Sequence, residues 1–348
     1  MSKTFLDFRS DTVTKPTPQM RESMAYAEVG DDVYQEDPTV NRLQAMAAEM
    51  TGQEAGLFVS SGTMGNLTSI LSHCQRGDEI IVGKKAHIYL YEATGAAALG
   101  GVNIQTIPNQ EDGTLSWDDL QSAIRPDDPH QPITRLVSIE NTHNRCNGIS
   151  LSPEYTEQIS LFAKEHNLVF HIDGARIFNA AIDQNVPVSE LTKHANSITF
   201  CLSKGLSAPV GSVICGSEAF IQRAHRIRKQ LGGGMRQAGI IAAAGIVALQ
   251  TMVDRLGEDH QNARLLAEGL ATIPGLLIDL ENQHTNMVYF SLSDDAPLTL
   301  SKLRDLLKEE GLLVGGGSDR IRMVTHSNVD KMSVERAIDL IKTNLTIS

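Results

Sequence analysis

The sequence predicts an α/β protein with a large domain on a mostly parallel β-sheet, followed by a small α+β domain. The chain has 348 residues, more than a single hydrophobic core usually serves, so we expect two domains. Short apolar runs alternate with helical patterns from about residue 55 to 215, as parallel strands joined by helical crossovers require. From about residue 255 the order becomes helix, strand, helix, strand, helix. We therefore predict domains 1–254, with segment 1–15 contributing to the active site, and 255–348.

The predicted strands are short apolar runs without a polar face. Such runs are typical of strands that are buried on both sides of a parallel sheet. In the large domain they are 56–59, 79–82, 136–139, 168–172 and 198–202, and in the small domain they are 287–292 and 321–324.

The predicted helices begin and end at capping residues. Asp37 and Pro38 are typical of an N-cap and first turn, and Gly52 marks the end of that helix. Ser152 and Pro153 open a second helix in the same way. The most apolar stretch, 238–253, is shorter than the roughly 20 residues that a membrane span needs, so it predicts a buried helix.

Charge and cysteine content narrow the function classes. The formal net charge is −12, which argues against nucleic acid or an anionic membrane as the main partner but leaves small anions open. The four cysteines form no C-x-x-C pair, and the first residues carry no signal-peptide run, so we expect reduced thiols in a cytoplasmic protein. No metal-ligand spacing such as H-E-x-x-H occurs, so no catalytic metal is predicted; a structural cation near 12–14 stays open.

Polar residues follow three of the predicted strands, where ligands of parallel sheets bind. After the first strand, 60–66 is a run of small residues at a helix start, which is either an anion site or an ordinary capped turn. Asp173 follows a second strand, where its carboxylate pairs either with Arg176 or with a protonated ring nitrogen; we favour the ring nitrogen. Lys204 lies between two apolar runs, and a lysine shielded from water becomes a nucleophile toward carbonyls.

These three features together match the needs of pyridoxal phosphate. The cofactor requires an amine for its aldehyde, a carboxylate for its ring nitrogen and donors for its phosphate. Neither a G-x-G-x-x-G motif nor a P-loop is present, so a dinucleotide or ATP is disfavoured. The order of loop, Asp173 and Lys204 is more specific than any one of them, and it predicts a pyridoxal-phosphate enzyme.

Eight local motifs are spread over the whole chain. They are RSDTVT (9–14), VGDDVY (29–34), SGTMGN (61–66), ENTHN (140–144), HIDGARIFN (171–179), CLSKGL (201–206), GGGMRQ (232–237) and RMVTH (322–326). Together they resemble the threonine aldolases of the low-specificity and L-allo-threonine group, which are fold-type I pyridoxal-phosphate enzymes. The resemblance implies that fold for the large domain, and cleavage of β-hydroxy-α-amino acids to glycine and an aldehyde.

The resemblance also implies roles for the residues that hold the cofactor. Lys204 resembles the Schiff-base lysine, and Asp173 resembles the partner of the pyridine nitrogen. Gly62, Thr63 and Ser203 resemble donors to the phosphate.

Further roles concern the substrate and a neighbouring subunit. Ser10, Arg176 and Arg322 resemble the residues that hold the substrate carboxylate. Lys229 and Arg236 are expected near the phosphate of a neighbouring subunit, in a homotetramer.

Two histidines are implied at the reaction centre. His87 resembles an imidazole that stacks on the cofactor ring, and His130 resembles one near the β-hydroxyl of the substrate. Either is a candidate for the base, and it is equally open that neither is. The sequence departs from many relatives at Gln35 and in the stretch 145–147, which affects side-chain preference and not the class of reaction.

Other functions remain as alternatives at this point. The nearest is another pyridoxal-phosphate activity, such as an aminotransferase or a β-eliminating lyase. A protein that binds the cofactor without turnover, or an aldolase that uses Lys204 without the cofactor, fits fewer of the residues.

Overall fold

The computed structural model describes residues 5–346 and contains two β-sheets with helices packed around them. Its strands in chain order are β1 (Leu6–Phe8), β2 (Ala55–Val59), β3 (Asp78–Gly83), β4 (Asn103–Ile107), β5 (Ile133–Glu140), β6 (Val169–Asp173), β7 (Ser197–Cys201), β8 (Ser212–Gly216), β9 (Leu276–Ile278), β10 (Met287–Leu292), β11 (Leu312–Gly316) and β12 (Ile321–Val324).

The α-helices are α1 (Pro18–Ala25), α2 (Pro38–Thr51), α3 (Gly62–His73), α4 (His87–Leu90), α5 (Gly95–Gly100), α6 (Trp117–Ala123), α7 (Pro153–Glu165), α8 (Ile177–Gln184), α9 (Val188–Thr192), α10 (Glu218–Gln230), α11 (Gly239–Thr251), α12 (Leu256–Ala271), α13 (Leu300–Glu310) and α14 (Lys331–Thr346). Two short 3-10 helices are Asp11–Val13 and Asp32–Tyr34.

The large sheet has seven strands in the order β2, β8, β7, β6, β5, β3, β4. Strand β8 runs antiparallel to both of its neighbours, and the other pairs are parallel. The five strands predicted for this domain are confirmed, with ends that differ by at most three residues. Strand β4 was not predicted, because it lies at the sheet edge and its first residue, Asn103, is exposed.

The small sheet has five strands in the order β1, β11, β12, β10, β9. Strands β10 and β12 match their predicted bounds. The N-terminal strand β1 pairs in parallel with β11, with Leu6 opposite Leu312, and Phe8 is buried in the core of this sheet. Segment 1–15 was predicted to belong to the large domain. Its residues 6–8 instead complete the small sheet, because Leu6 and Phe8 pack into the core of that sheet.

The predicted helix ends are confirmed at the caps. In α2 both N–H groups of Thr39 and Val40 donate to the Asp37 carboxylate, and Gly52 ends the helix in the left-handed conformation. Ser152 caps α7 in the same manner. The apolar stretch 238–253 forms α11, which is buried along most of its length.

No single helix in residues 5–346 is long and apolar enough to cross a membrane. The pair α11 and α12 reaches the required length and composition only when the two are taken together, and they are bent by 71°.

Candidate active site

A cavity of about 140 Å³ lies where the carboxyl ends of β6 and β7 meet the start of α3. Parallel strands end at the same edge of a sheet, so residues far apart in sequence come together there. The predicted residues that line the cavity are Gly62, Thr63, His87, Asp173, Ser203 and Lys204, joined by Asn66, Glu92, Ala175 and Cys201.

The start of α3 offers backbone donors to the cavity. Ser61 caps the helix, its Oγ accepting from the N–H of Met64 at 3.1 Å. The N–H groups of Gly62 and Thr63 come too early in the helix to bond within it, so they are available to an anion. Gly62 is required by close packing, since a Cβ there would lie 2.9 Å from the Sγ of Cys201. The run 60–66 thus offers free N–H donors beside the cavity in addition to a capped turn, and the binding of an anion there stays a prediction.

Lys204 lies three residues beyond the end of β7 and borders the cavity. Its backbone carbonyl accepts hydrogen bonds from the Thr14 hydroxyl at 3.0 Å and from the Ser207 N–H at 2.8 Å. These two bonds fix the point from which the side chain extends. The residue is half-buried and not fully enclosed as the sequence suggested, because its side chain adjoins the cavity and not the apolar core.

Asp173, the last residue of β6, presents a buried carboxylate to the cavity. One oxygen accepts from the side-chain amide of Asn66 at 2.9 Å, and the other accepts from the N–H of Ala175 at 3.2 Å. A buried carboxylate needs such donors or a positive partner. No guanidinium or amine in residues 5–346 pairs with it, which leaves its charge directed at the cavity.

His87 opens the short helix α4 and is held by two carboxylates. Its backbone N–H donates to Glu140 at 2.7 Å, and its Nδ1 lies 2.9 Å from the carboxylate of Glu92. Burial lowers the pKa of His87, but the bond to Glu92 and the charges of Asp173, Glu92 and Glu140 outweigh burial and raise it. Burial also raises the pKa of Glu92. The Nε2 atom of His87 stays available to the cavity.

Asn66 joins these groups into one hydrogen-bonded chain. Its amide nitrogen donates to Glu92 at 2.8 Å as well as to Asp173, and its oxygen lies 3.2 Å from Nε2 of His171. Burial lowers the pKa of His171 to about 4, so that residue is neutral at pH 7. Ligand atoms of His87, Glu92 and Asp173 all lie within 4.8 Å of one another. Asn66 donates to both carboxylates and the His87 imidazole binds that of Glu92, so we interpret these groups as one hydrogen-bonded network that can hold a proton.

Arg176 lies at the start of α8 and is buried against an acidic partner. Its Nε and Nη2 donate to the two oxygens of Asp11 at 2.7 and 2.6 Å. Its carboxylate partner is therefore Asp11 and not Asp173, the structural alternative that the sequence left open. Burial would raise the pKa of Asp11, but the charge and hydrogen bonds of Arg176 hold it well below its usual range. Arg176 does not line this cavity, and its contact with a substrate stays a prediction.

We expect Asp11→Asn to lower the free energy of unfolding by about 3–5 kcal/mol, because it leaves the buried guanidinium of Arg176 without a charged partner. Since pairing lowers the pKa of Asp11, the stabilisation is complete above the unfolded pKa of about 3.9 and is lost only as the pH falls further. Urea unfolding at pH 7 measures the change. The control Glu268→Gln breaks an exposed pair with Arg264 and should cost about 0.5 kcal/mol or less. Equal stability of Asp11→Asn and wild type would contradict the expectation.

A second cavity of about 380 Å³ adjoins the first, since His87 lines both. It is lined by His87, Tyr91, Asn144, Arg145, Tyr289, Gly316, Gly317, Arg320 and Arg322.

The predicted Arg322 lies in this second cavity. It donates to the Asn144 side chain at 2.6 Å and to the carbonyl of Arg9 at 3.0 Å, and its Nε is buried without a partner in residues 5–346. A buried N–H donor without an acceptor is costly, and a bound carboxylate would supply the acceptor. Ser10 directly follows Arg9, and its Oγ caps the 3-10 helix Asp11–Val13.

Besides Ser10 and Arg176, three predicted residues line neither cavity. His130 has a side chain that is 88% exposed and bonds to Asp128, and Arg236 is an exposed residue paired with Asp31. Lys229 lines a separate basic depression of about 990 Å³ beside α10. The role of Lys229 and Arg236 in a neighbouring subunit and the role of His130 near the β-hydroxyl stay predictions.

Four acidic or amide residues at the site were not predicted: Asn66, Glu92, Glu140 and Asp11. A buried Asp173 needs a hydrogen-bond donor, and this need points to Asn66, which lies in the run 60–66. Glu92 lies only five positions after His87. Nothing local in the sequence connects Asp11 with Arg176.

The chain is similar to known proteins over nearly its whole length. The family model described as beta-eliminating lyase matches residues 7–293. Low-specificity L-threonine aldolase 1 of Arabidopsis thaliana is 50% identical over 94% of this chain and 93% of its own length. Low specificity L-threonine aldolase of Escherichia coli (strain K12) is 48% identical over 94% of this chain and 95% of its own length.

Solved structures share the fold at lower sequence identity. The threonine aldolase of Leishmania major superposes with a TM-score of 0.83 at 21% identity, covering 98% of this chain and 99% of that one. The predicted α/β fold is therefore confirmed.

Proposed function

Because this chain belongs to the beta-eliminating lyase family, among the low-specificity L-threonine aldolases, we propose that it cleaves L-threonine, L-allo-threonine and other β-hydroxy-α-amino acids to glycine and an aldehyde. It is an aldehyde-lyase, and pyridoxal 5'-phosphate is its proposed cofactor. The observation that carries the proposal is that an amine, a buried carboxylate and a helix start converge on one cavity. These groups are Lys204, Asp173, Gly62 and Thr63.

The residues present fit the proposed cofactor. Two free N–H groups of α3 and the Ser203 side chain supply phosphate donors. Lys204 supplies the amine that binds the cofactor aldehyde, and the imidazole of His87 is available to stack on the ring. Asp173 is buried and has no cationic partner in residues 5–346, so a protonated ring nitrogen would complete its contacts.

When bound, pyridoxal phosphate supplies an acceptor for the electron pair that is released when the Cα–Cβ bond breaks. Asp173 keeps a proton on the ring nitrogen, and Asn66 holds the carboxylate in place for this purpose. Lys204 would hold the cofactor through its side-chain amine.

The substrate carboxylate is proposed to bind Arg322. Its unpartnered Nε and the neighbouring Nη2 form the planar fork that matches a carboxylate. Ser10 and Arg176 are proposed to assist, with Asp11 fixing Arg176. Holding the carboxylate fixes the rotation about Cα, and so decides which bond of Cα is aligned for cleavage.

The base that removes the β-hydroxyl proton is proposed to be an imidazole. His87 Nε2 is available to the cavity, while Nδ1 is held by Glu92. His130 is the second candidate and would have to come from another subunit, since it is exposed here. Comparable activity of both His87→Ala and His130→Ala with the wild type would exclude both.

A pH profile tests the role of Glu92 as a positioning residue for His87. A base must be neutral, so kcat/KM rises as the pH passes the pKa of His87. Glu92 favours the charged imidazole, so Glu92→Gln should lower the pKa of His87 and move the acid limb of the profile to lower pH. Glu92→Asp keeps the negative charge beside His87, so the acid limb of this variant should lie close to that of the wild type. An unmoved acid limb in Glu92→Gln would reject the assignment.

Assembly and location complete the proposal. We place Lys229, Arg236 and His130 at the cavity of a neighbouring subunit in a homotetramer; their exposure on this chain leaves them free for such contacts. A cytoplasmic location is supported by four cysteines that are all buried and unpaired in residues 5–346.

The deciding experiment incubates the holoenzyme separately with L-threonine and L-allo-threonine. Glycine and acetaldehyde should appear in equal amounts, without a keto acid. The main alternative is another fold-type I activity. An aminotransferase would convert an added keto acid to an amino acid, and a β-eliminating lyase would release ammonia. Either result in the absence of acetaldehyde would overturn the proposal.

A further inference from the structure

The second cavity carries more positive charge than threonine requires. Three arginines line it, Arg145, Arg320 and Arg322, and no aspartate or glutamate lines it. Threonine has one carboxylate, which the proposed function assigns to Arg322. Its side chain ends in a methyl group, which gives the other two guanidinium groups nothing to bind.

Arg320 is held rigidly at the cavity wall. Its guanidinium carbon lies 4.1 Å from the centre of the Tyr289 ring, and its Nη atoms donate to the Asn147 side chain at 2.9 Å and to the carbonyl of Arg145 at 2.6 Å. Its Nε is buried and has no hydrogen-bond partner in residues 5–346, the nearest carboxylate being the exposed Asp319 at 4.0 Å. The Nε–H of this half-buried arginine therefore has no acceptor among the described residues.

Arg145 follows Asn144 in the stretch that Arg320 anchors. In the described part of the chain, its guanidinium enters no hydrogen bond or ion pair, while its backbone carbonyl is fixed by Arg320. Its side chain can therefore turn toward an anion in the cavity with no bond to break. Arg145 and Arg320 together form what we call the second anion subsite.

Spacing relates this subsite to the site for the substrate carboxylate. Arg320 directly precedes β12 and Arg322 lies within it, two positions apart, so both extend to the same face, roughly 6–7 Å from each other. Tyr289 lies opposite Arg322 in the neighbouring strand and beneath Arg320. A substrate with two carboxylates separated by two carbons could meet both arginines at once.

We propose that the second anion subsite selects β-hydroxy-α-amino acids whose side chain ends in a carboxylate, of which 3-hydroxyaspartate is the simplest. This inference rests on the proposed function, since it uses the same cavity and reaction. In that reaction the Cα–Cβ bond breaks and its electron pair stays with Cα. The β-hydroxyl loses its proton and becomes the aldehyde of glyoxylate, and a proton added at Cα gives glycine.

Kinetics on two substrates test the proposal. The wild-type holoenzyme should release glyoxylate and glycine from L-3-hydroxyaspartate, measured for both diastereomers beside L-threonine. Arg145→Gln and Arg320→Gln should each lower the ratio of kcat/KM for 3-hydroxyaspartate over threonine by about tenfold, the effect of one charge-assisted hydrogen bond. The matched control Arg264→Gln removes an exposed arginine of α12 and should leave the ratio unchanged.

The outcomes separate this inference from the proposed function. Cleavage of threonine without any glyoxylate from 3-hydroxyaspartate overturns the subsite alone, and so does an unchanged ratio in both cavity variants. Cleavage of neither substrate overturns the proposed function. If Arg320→Gln does not fold, Arg145→Gln decides, because that substitution removes no described side-chain bond.

Calorimetry gives a readout that does not depend on turnover. Succinate has the same spacing of carboxylates as 3-hydroxyaspartate, and butyrate has the same carbon chain with one carboxylate. Succinate should bind about tenfold more tightly than butyrate, and Arg145→Gln should remove most of that preference. Equal affinity of the wild type for succinate and butyrate would reject the subsite.

Discussion

Lys204→Ala should lower kcat for threonine cleavage on the order of 10³-fold or more. The substitution removes the amine that borders the cavity from a backbone fixed by Thr14 and Ser207. Lys204 is the only lysine of residues 5–346 that lines this cavity, so the same chain offers no second amine in its place. Borohydride treatment of the wild-type holoenzyme should fix the cofactor to the chain, and the variant should retain none.

The control for this experiment is Lys193→Ala, which removes a lysine paired with Glu190 away from the cavity. It should keep wild-type activity and the borohydride-stable adduct. Circular dichroism should show that Lys204→Ala is folded, since its side chain is half-buried and makes no hydrogen bond in the described residues. A folded Lys204→Ala protein that still carries reduced cofactor would refute the assignment of the amine.

Asp173→Asn should lower kcat by roughly 10²- to 10³-fold while the protein still binds its cofactor. Asparagine keeps the size of the side chain and an oxygen that can accept from Asn66, but it removes the negative charge. The proton on the ring nitrogen then loses its partner, and the electrons of the breaking bond are accepted less readily. The visible absorption of bound cofactor measures occupancy separately from turnover.

Asp295→Asn is a matched control, because it makes the same change at an exposed carboxylate that accepts from Ser293 and lines neither cavity. It should keep wild-type turnover. Full turnover of Asp173→Asn with bound cofactor would show that the charge of Asp173 is not needed.

The large sheet was predictable because its signal is local. Five apolar runs match strands of that sheet. Asp173 ends β6, Lys204 follows β7, and both residues line the cavity. Parallel strands end at the same edge of a sheet, so Asp173 and Lys204 were both expected at that edge. Their close approach follows from the pairing of β6 with β7.

The rest of the site depends on contacts that local patterns do not encode. Asp11 binds Arg176 across the fold, and β1 joins β11 through an edge pairing that no periodicity announces. His130 lies in an exposed loop, and a single chain does not show whether it reaches a reaction centre.

The pairing of β1 with β11 has a consequence for the order in which a ribosome-bound chain becomes active. Leu6 is opposite Leu312, so the first strand has no partner until almost the whole chain has been synthesised. Ser10 and Asp11 follow that strand directly, and Arg176 keeps an unpaired buried charge until Asp11 arrives. The nascent large domain is therefore expected to bind cofactor before it can bind substrate correctly. The proposed binding site for the substrate carboxylate, formed by Ser10, Arg176 and Arg322, should be the last part of the enzyme to fold.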